Sequence, residues 1–318
     1  MKRIFFFIAA IFSGLYILTV ILSIIAAHSA ITPVPPSSYI GNSPSNISIA
    51  EKPGNSADLK FAVIGDIQIG YGTAQQLLKL IKEQKCDFIV QTGDLVNLDE
   101  FFHYRLILGI IQNEDLQAPF FVVPGNHDVK NGHENFMNFL GQNEFHFVRN
   151  NMHFIFMDNA VSPLNLEHLR SLLEKGRARK VTGQFLFFHR PVDEPELTDK
   201  FAALVKEYNV LYVFCGHMHF FRREVKNGTV FVTNGRGGDY DSDNTASAGY
   251  AVIVENNKGI IKDTKIEVPE DFSRYWACIH ALYGHVYAGL MEYSPAIWVP
   301  LVFSWVFLVL IVIKRLKD

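Results

Sequence analysis

Short polar clusters recur along the chain directly after apolar runs: Gly65-Asp66-Ile67-Gln68, Gly93-Asp94-Leu95-Val96-Asn97, Gly125-Asn126-His127-Asp128, His189-Arg190-Pro191 and Gly216-His217-Met218-His219. Their donor atoms are mixed. Asp66 and Asp94 offer carboxylates, Gln68 and Asn126 offer amide oxygens, and His189, His217 and His219 offer imidazoles. A nitrogen and oxygen set without thiolate suits Mn, Fe or Zn. One ion takes about four to six donors, so a pool of this size points to two divalent ions roughly 3.5–4 Å apart, sharing a carboxylate. A lone Gly-x-His-x-His or Gly-Asn-His carries little weight; all the clusters in this order, each behind an apolar run, carry much more.

Such residues, far apart in sequence, need a scaffold that brings them together. Apolar runs at Leu59–Ile64, Phe88–Thr92, Phe120–Val123, His153–Met157, Gln184–Phe188 and Leu211–Cys215 read as strands. Between them, Thr73–Gln84, Phe101–Gln112, Asn165–Lys175 and Pro195–Tyr208 have helical apolar spacing. Strand and helix in alternation imply a buried sheet, whose strand carboxyl ends converge on one crevice. Beyond His219 the pattern turns strand-rich, with hairpins expected in Arg222–Val232 and Tyr250–Val268. Glycine ahead of each ligand lets the backbone turn sharply and leaves room beside an ion.

This ordered set resembles the calcineurin-like metallophosphoesterases, whose pattern runs Asp-x-His, Gly-Asp-x-x-Asp, Gly-Asn-His-Asp/Glu, His and Gly-His-x-His, and the resemblance covers roughly Leu59 to Val268. It implies an α/β fold, a four-layer α/β/β/α sandwich of two packed sheets. It also implies one metal held by Asp66, Gln68, Asp94 and His219 and a second held by Asp94, Asn126, His189 and His217. The implied reaction is in-line attack by a metal-activated hydroxide on a phosphodiester, phosphomonoester or diphosphate bond. His127, not a ligand in the family, would protonate or electrostatically stabilise the leaving oxygen, with Asp128 as its partner.

Two residues depart from the family pattern. Gln68 stands where the family has His, which biases that site toward a harder ion such as Mn²⁺. Asn97 replaces the second Asp of Gly-Asp-x-x-Asp, removing a carboxylate that would steady His127 when protonated. These departures leave open a catalytically inactive, metallophosphoesterase-like binding module as the alternative to an enzyme. Asn97 and Arg236 are candidate substrate-binding residues; Arg236, within Gly235-Arg236-Gly237-Gly238-Asp239, would lie over a phosphate, the alternative being a plain glycine-rich turn. Tyr71 and His103, which follow the first two clusters, are candidate cleft residues.

Net charge is −3 and the 29 basic residues form no stripe, so a nucleic-acid partner is not expected. The expected partners are a phosphorylated small-molecule or lipid substrate and a membrane. Apolar residues reach 49% against 19% charged, a balance that points to segments in lipid. Residues 4–27 and 297–313 are long apolar runs with basic flanks, so the expectation is a membrane protein with both termini cytoplasmic and the catalytic domain extracytoplasmic. A cleaved signal peptide ending near Ala27-His28-Ser29 is the alternative for the first run. The expected organisation is an anchor at 1–28, a Pro/Ser/Asn-rich linker at 29–58, the metallophosphoesterase domain at 59–268, a juxtamembrane segment at 269–295, and a transmembrane helix with basic tail at 296–318. Cys86, Cys215 and Cys278 are too scattered for a disulfide framework and are expected to be free thiols.

Overall fold

The computed structural model describes residues 39–52, 58–68, 70–192, 195–238 and 249–268, together with Val306. Apart from Val306, these belong to one compact unit, Val34–Ala281.

Six described helices and eleven strands appear in the order α1 (Pro44–Glu51), β1 (Leu59–Ile64), α2 (Tyr71–Glu83), β2 (Phe88–Gln91), α3 (Phe101–Asn113), β3 (Phe120–Val122), α4 (Glu134–Leu140), β4 (Phe145–Arg149), β5 (Met152–Phe156), α5 (Leu166–Ala178), β6 (Gly183–Phe187), α6 (Pro195–Glu207), β7 (Val210–Cys215), β8 (Phe221–Lys226), β9 (Thr229–Asn234), β10 (Tyr250–Asn257) and β11 (Ile260–Glu267). One sheet has the order β11-β10-β1-β2-β3 and the other β4-β5-β6-β7-β9-β8. β1, β2 and β3 are parallel, as are β5, β6, β7 and β9, while β10, β11, β4 and β8 pair antiparallel at the margins.

Alternation along each strand explains the layering, because successive side chains point to opposite faces. Phe61 and Val63 of β1 face inward and join Phe88 and Phe121 from their own sheet and Phe154, Phe187 and Phe214 from the other in a core between the sheets. Ala62 and Ile64 face outward, where Leu77, Leu78 and Ile81 of α2 and Ile107 and Ile111 of α3 cover them. Leu186 and Val213, on the outer face of the second sheet, meet Leu169, Leu172 and Leu173 of α5 and Phe201, Leu204 and Val205 of α6. Helix, sheet, sheet, helix is the expected sandwich. Phenylalanine fills the middle layer, with Phe61 stacked on Phe88 at 5.0 Å between ring centroids and Phe156 on Phe187 at 4.8 Å.

Two expectations need correction. Part of the expected linker is folded: Ser43 caps α1 by accepting from Asn46 N, Pro44 occupies its first turn, and Asn42 exchanges hydrogen bonds with Val122, Nδ2 to the carbonyl at 2.6 Å and Oδ1 from the amide at 3.0 Å. The membrane placement is overturned as well. Among the described residues no helix is long and apolar enough to cross a membrane. The longest of these helices have 13 residues, which gives about 20 Å against the roughly 30 Å of hydrocarbon to be crossed. The runs 4–27 and 297–313, Val306 excepted, and the segment 269–295 lie outside the described residues, as does Cys278.

Candidate metal centre

Every cluster picked out by its chemistry sits just past the carboxyl end of a parallel strand: Asp66 and Gln68 after β1, Asp94 after β2, Asn126 after β3, His189 after β6, and His217 and His219 after β7. The chain turns back sharply there. Asp66, Gln68, Asp94, His217 and His219 all have positive φ, at 53°, 45°, 56°, 70° and 45°, a left-handed conformation that non-glycine residues adopt at a cost and that collects at functional sites. Two glycines make the packing possible. A Cβ on Gly93, itself at φ 96°, would run into the His189 ring, and one on Gly125 would run into the amide and Oδ1 of Asp94.

Asp94, His189 and His217 bring one potential ligand atom each to within 4.8 Å of one another, and so do Asp66, Asp94 and His219. Asp94 belongs to both groups, as a bridging carboxylate must. Asp66 and Asp94 are buried, and His217 N donates to Asp66 Oδ1 at 3.0 Å, tying the β7 loop to the β1 loop. His189 Nδ1 donates to the Thr92 carbonyl at 2.9 Å, which leaves Nε2 turned toward Asn126 Oδ1 at 3.1 Å and Asp94 Oδ1 at 3.4 Å. Fixing one ring nitrogen on a carbonyl is the way a ligating histidine is oriented. Gln68 reaches the other group, Nε2 donating to Asp94 Oδ2 at 3.2 Å and lying 3.4 Å from His219 Nε2. A half-turn of that amide puts Oε1 in the same place.

The electrostatics fit cations. Burial would raise the Asp94 carboxyl, but the charge and hydrogen bond of His189 and the amide of His127 hold it down to about 2. Burial would lower His189, but Asp94 and then Asp66 hold it up to about 9. The same proton cannot stay once an ion takes Nε2, so metal loading and deprotonation of His189 are one event. Burial, with His189 and Arg190 nearby, depresses His217 to about 4, leaving its ring neutral and free to ligate.

With this geometry in hand, comparison with known proteins is decisive at the level of family. The family model described as calcineurin-like phosphoesterase matches residues 59–221. The chain belongs to that family.

This phosphoesterase is therefore a hydrolase by kinship. It is 26% identical over 235 residues to a protein of Arcobacter nitrofigilis described as a "probable glycerophosphodiester phosphodiesterase", covering 65% of this chain and 80% of that one. Over 169 residues it is 27% identical to a "probable cyclic nucleotide phosphodiesterase" of a Pseudoalteromonas species, covering 47% of this chain and 64% of the relative. Among solved structures, GAP50, the anchor in the inner membrane complex of Plasmodium, superposes with a TM-score of 0.53 at 18% identity, covering 67% of this chain and 85% of that one. Purple acid phosphatase PPD1 from yellow lupin seeds also gives 0.53, at 13% identity, covering 70% and 53%. At such identities these two structures speak for the fold alone.

Around the centre, the phosphoesterase departs from the expected roles at several residues, first at Asp128. Asp128 is not the partner of His127. It is fully buried, and its Oδ1 accepts from Val96 N at 2.9 Å and its Oδ2 from Gly125 N at 2.8 Å, so it clamps the β2 and β3 loops together. His127 Nδ1 instead donates to the Asn97 carbonyl at 2.7 Å, leaving Nε2 as the nitrogen that can give or take a proton. Asn97 thus takes part through its backbone, where the side-chain type does not matter. Arg236 is 7% exposed, and its guanidinium makes no hydrogen bond or ion pair among the described residues; Asp239 lies outside them. Tyr71 and His103 are buried rather than open to the cleft.

Asn159, which the sequence reading passed over, anchors the strand end that carries His189. Its Oδ1 accepts from His189 N and Arg190 N, both at 3.0 Å, and its Nδ2 donates to the Arg190 carbonyl at 2.7 Å. No glycine or paired ligand marks it; its signal is only that it follows the end of β5.

Proposed function

We propose that this hydrolase is a metal-dependent phosphodiesterase, with one divalent ion held by Asp66, Gln68, Asp94 and His219 and a second by Asp94, Asn126, His189 and His217. The observation that carries the reading is that Asp94 is common to both donor groups. The ions, Mn²⁺ foremost with Fe or Zn as alternatives, supply when bound the positive charge that neutralises phosphoryl oxygens and makes water nucleophilic. The protein's own residues do the rest. The buried carboxylates and the Thr92-anchored His189 hold fixed positions, which avoids reorganisation during reaction. His127, steadied at Nδ1 by Asn97, offers Nε2 to the leaving oxygen. Arg236, buried and unpaired among the described residues, is the candidate to meet a phosphoryl oxygen beyond the ions.

Preference for a diester is supported by the two curated relatives, both described as phosphodiesterases. Stripped of metal with a chelator and reloaded with Mn²⁺, the protein should hydrolyse bis(4-nitrophenyl) phosphate faster than 4-nitrophenyl phosphate, and neither before reloading. Turnover indifferent to the chelator, or a monoester preferred, would defeat the proposal.

A further inference from the structure

A cavity of about 370 Å³ opens beside the second metal position, with His217 in its wall and Arg190, Ser162 and Asn159 among its polar lining. No carboxylate among the described residues lines it. Arg190 is exposed, and its guanidinium makes no hydrogen bond or ion pair among the described residues. Its planar fork of donors matches a carboxylate or a phosphate, and Ser162 adds a hydroxyl donor. The backbone beneath that guanidinium is fixed. Asn159, 4% exposed, accepts at Oδ1 from Arg190 N at 3.0 Å and donates from Nδ2 to Arg190 O at 2.7 Å. The same Oδ1 accepts from His189 N, so Arg190 is tied to a residue that would hold the second ion. Two helices add positive potential. Leu197, in the first turn of α6, and Leu164, just ahead of the Asn165 cap of α5, both line the cavity, and the amino ends of helices favour anions. The volume sits at the lower end of ligand pockets, roughly 300–1,000 Å³, which suits one arm of a substrate.

Which arm follows from where His127 stands. A phosphodiester has two ester arms, one that leaves and takes a proton and one that stays on phosphorus. His127, the group available to protonate, is held on the β3 loop by Asn97 and forms no part of the cavity lining. We propose that the cavity seats an oxyanion, a carboxylate or a second phosphate, carried by the arm retained on phosphorus, and that Arg190 is the residue that selects it. This rests on the diesterase reading above. The bond broken is that between phosphorus and the leaving oxygen, water supplies the new oxygen on phosphorus and the proton on the leaving group, and the product is a phosphomonoester that still bears the second anion.

The test is a set of 4-nitrophenyl phosphodiesters whose second arm is propyl, 2-carboxyethyl or 2-phosphonoethyl, assayed with Mn²⁺. The leaving group is constant, so only the retained arm varies. In the wild type kcat/KM for an anionic arm should exceed that for propyl roughly 5- to 50-fold, the range of a charge-assisted hydrogen bond discounted for solvent at the cavity mouth. A gain for one of the two anionic arms alone supports the site and names its oxyanion. Arg190→Gln, which leaves the Asn159 bonds to the backbone in place, should bring the ratio of anionic to propyl ester close to one, and Arg190→Lys should keep part of it. The ratio is the readout because a structural fault slows all three esters alike. Calorimetry is independent of turnover: 2-carboxyethyl phosphate, a retained product, should bind the Mn²⁺-loaded wild type at least roughly fivefold more tightly than propyl phosphate, and no more tightly in Arg190→Gln. Equal rates for all three esters, the result if Asp193, Glu194 or Glu196 nearby in sequence already answers Arg190, would overturn the inference. So would a preference untouched by Arg190→Gln, or a loss in that variant spread evenly over the three, which would put Arg190 on the reacting phosphoryl group. If none of the esters is hydrolysed, the diesterase reading fails; if all are hydrolysed equally well, only the oxyanion site fails.

Discussion

His127 touches the centre through its backbone and, in the role proposed for it, the chemistry through its ring. Its amide donates to Asp94 Oδ1 at 2.9 Å, and its Nδ1 to Asn97 O at 2.7 Å. Truncation to alanine keeps the first bond and removes only the second group. His127→Ala should therefore retain both metals while kcat falls about 10²- to 10⁴-fold, and the loss should be smallest for substrates with good leaving groups. Metal analysis beside kinetics checks this; an emptied centre would mean that the ring is a ligand. The residues that gather at the candidate centre were legible in the sequence because each follows an apolar run and a chemically telling neighbour. The partner of His127 was not, since adjacency in sequence suggested Asp128, whereas the fold turns that carboxylate inward onto Val96 and Gly125. A backbone acceptor such as the Asn97 carbonyl has no residue-type signature at all.

The central strands and the four long helices could be read from apolar period and length, within a residue or two at most ends. What escaped were elements that depend on tertiary contact: α1 within a Pro- and Ser-rich stretch, the seven-residue α4 and the marginal strand β4. α1 shows why. Its sequence resembles a tether, but the buried Asn42 beside it closes both hydrogen bonds of Val122 at the edge of the first sheet, and Arg149 donates to the Ala50 carbonyl at 2.9 Å. Asn42→Ala leaves those Val122 groups unsatisfied, which costs on the order of 1–3 kcal/mol. Chemical denaturation should record that loss with kcat for a chromogenic diester nearly unchanged. An unaltered unfolding midpoint would mean that residues 39–52 add nothing to the stability of the domain.

Across the whole molecule, acid and metal compete for the same buried cluster. In the metal-free protein His189 is held up to about 9 by Asp94 against its burial, while an unfolded histidine titrates near 6.5. The folded state then keeps a proton that the unfolded state has lost, so this contribution is full below about pH 6.5 and disappears as pH rises toward 9, with a slope approaching 1.4 kcal/mol per pH unit, roughly. Asp128, raised to about 7 by burial and then by Asp94, acts in the same sense at lower pH; burial also raises Asp66 and lifts the Cys86 and Cys215 thiols to about 12, so it is the difference between metal-free and Mn²⁺-loaded protein, not the metal-free trend alone, that reports the ligands. Metal-free protein should lose stability between pH 7 and 9, and Mn²⁺ should reverse the trend because it needs the deprotonated ring. Parallel denaturation midpoints with chelator and with Mn²⁺ would read this directly, and identical pH trends in both would count against His189 as a ligand.

The central claim is that strand-end loops from both sheets build a two-ion centre around one shared carboxylate. The most direct test counts metal ions per chain in the wild type and in Asp94→Ala after equilibration with Mn²⁺ and removal of excess. The account predicts about two ions in the wild type and essentially none in the variant, since each ion loses a ligand and the two no longer share one. A variant that still holds an ion would contradict the shared-carboxylate centre.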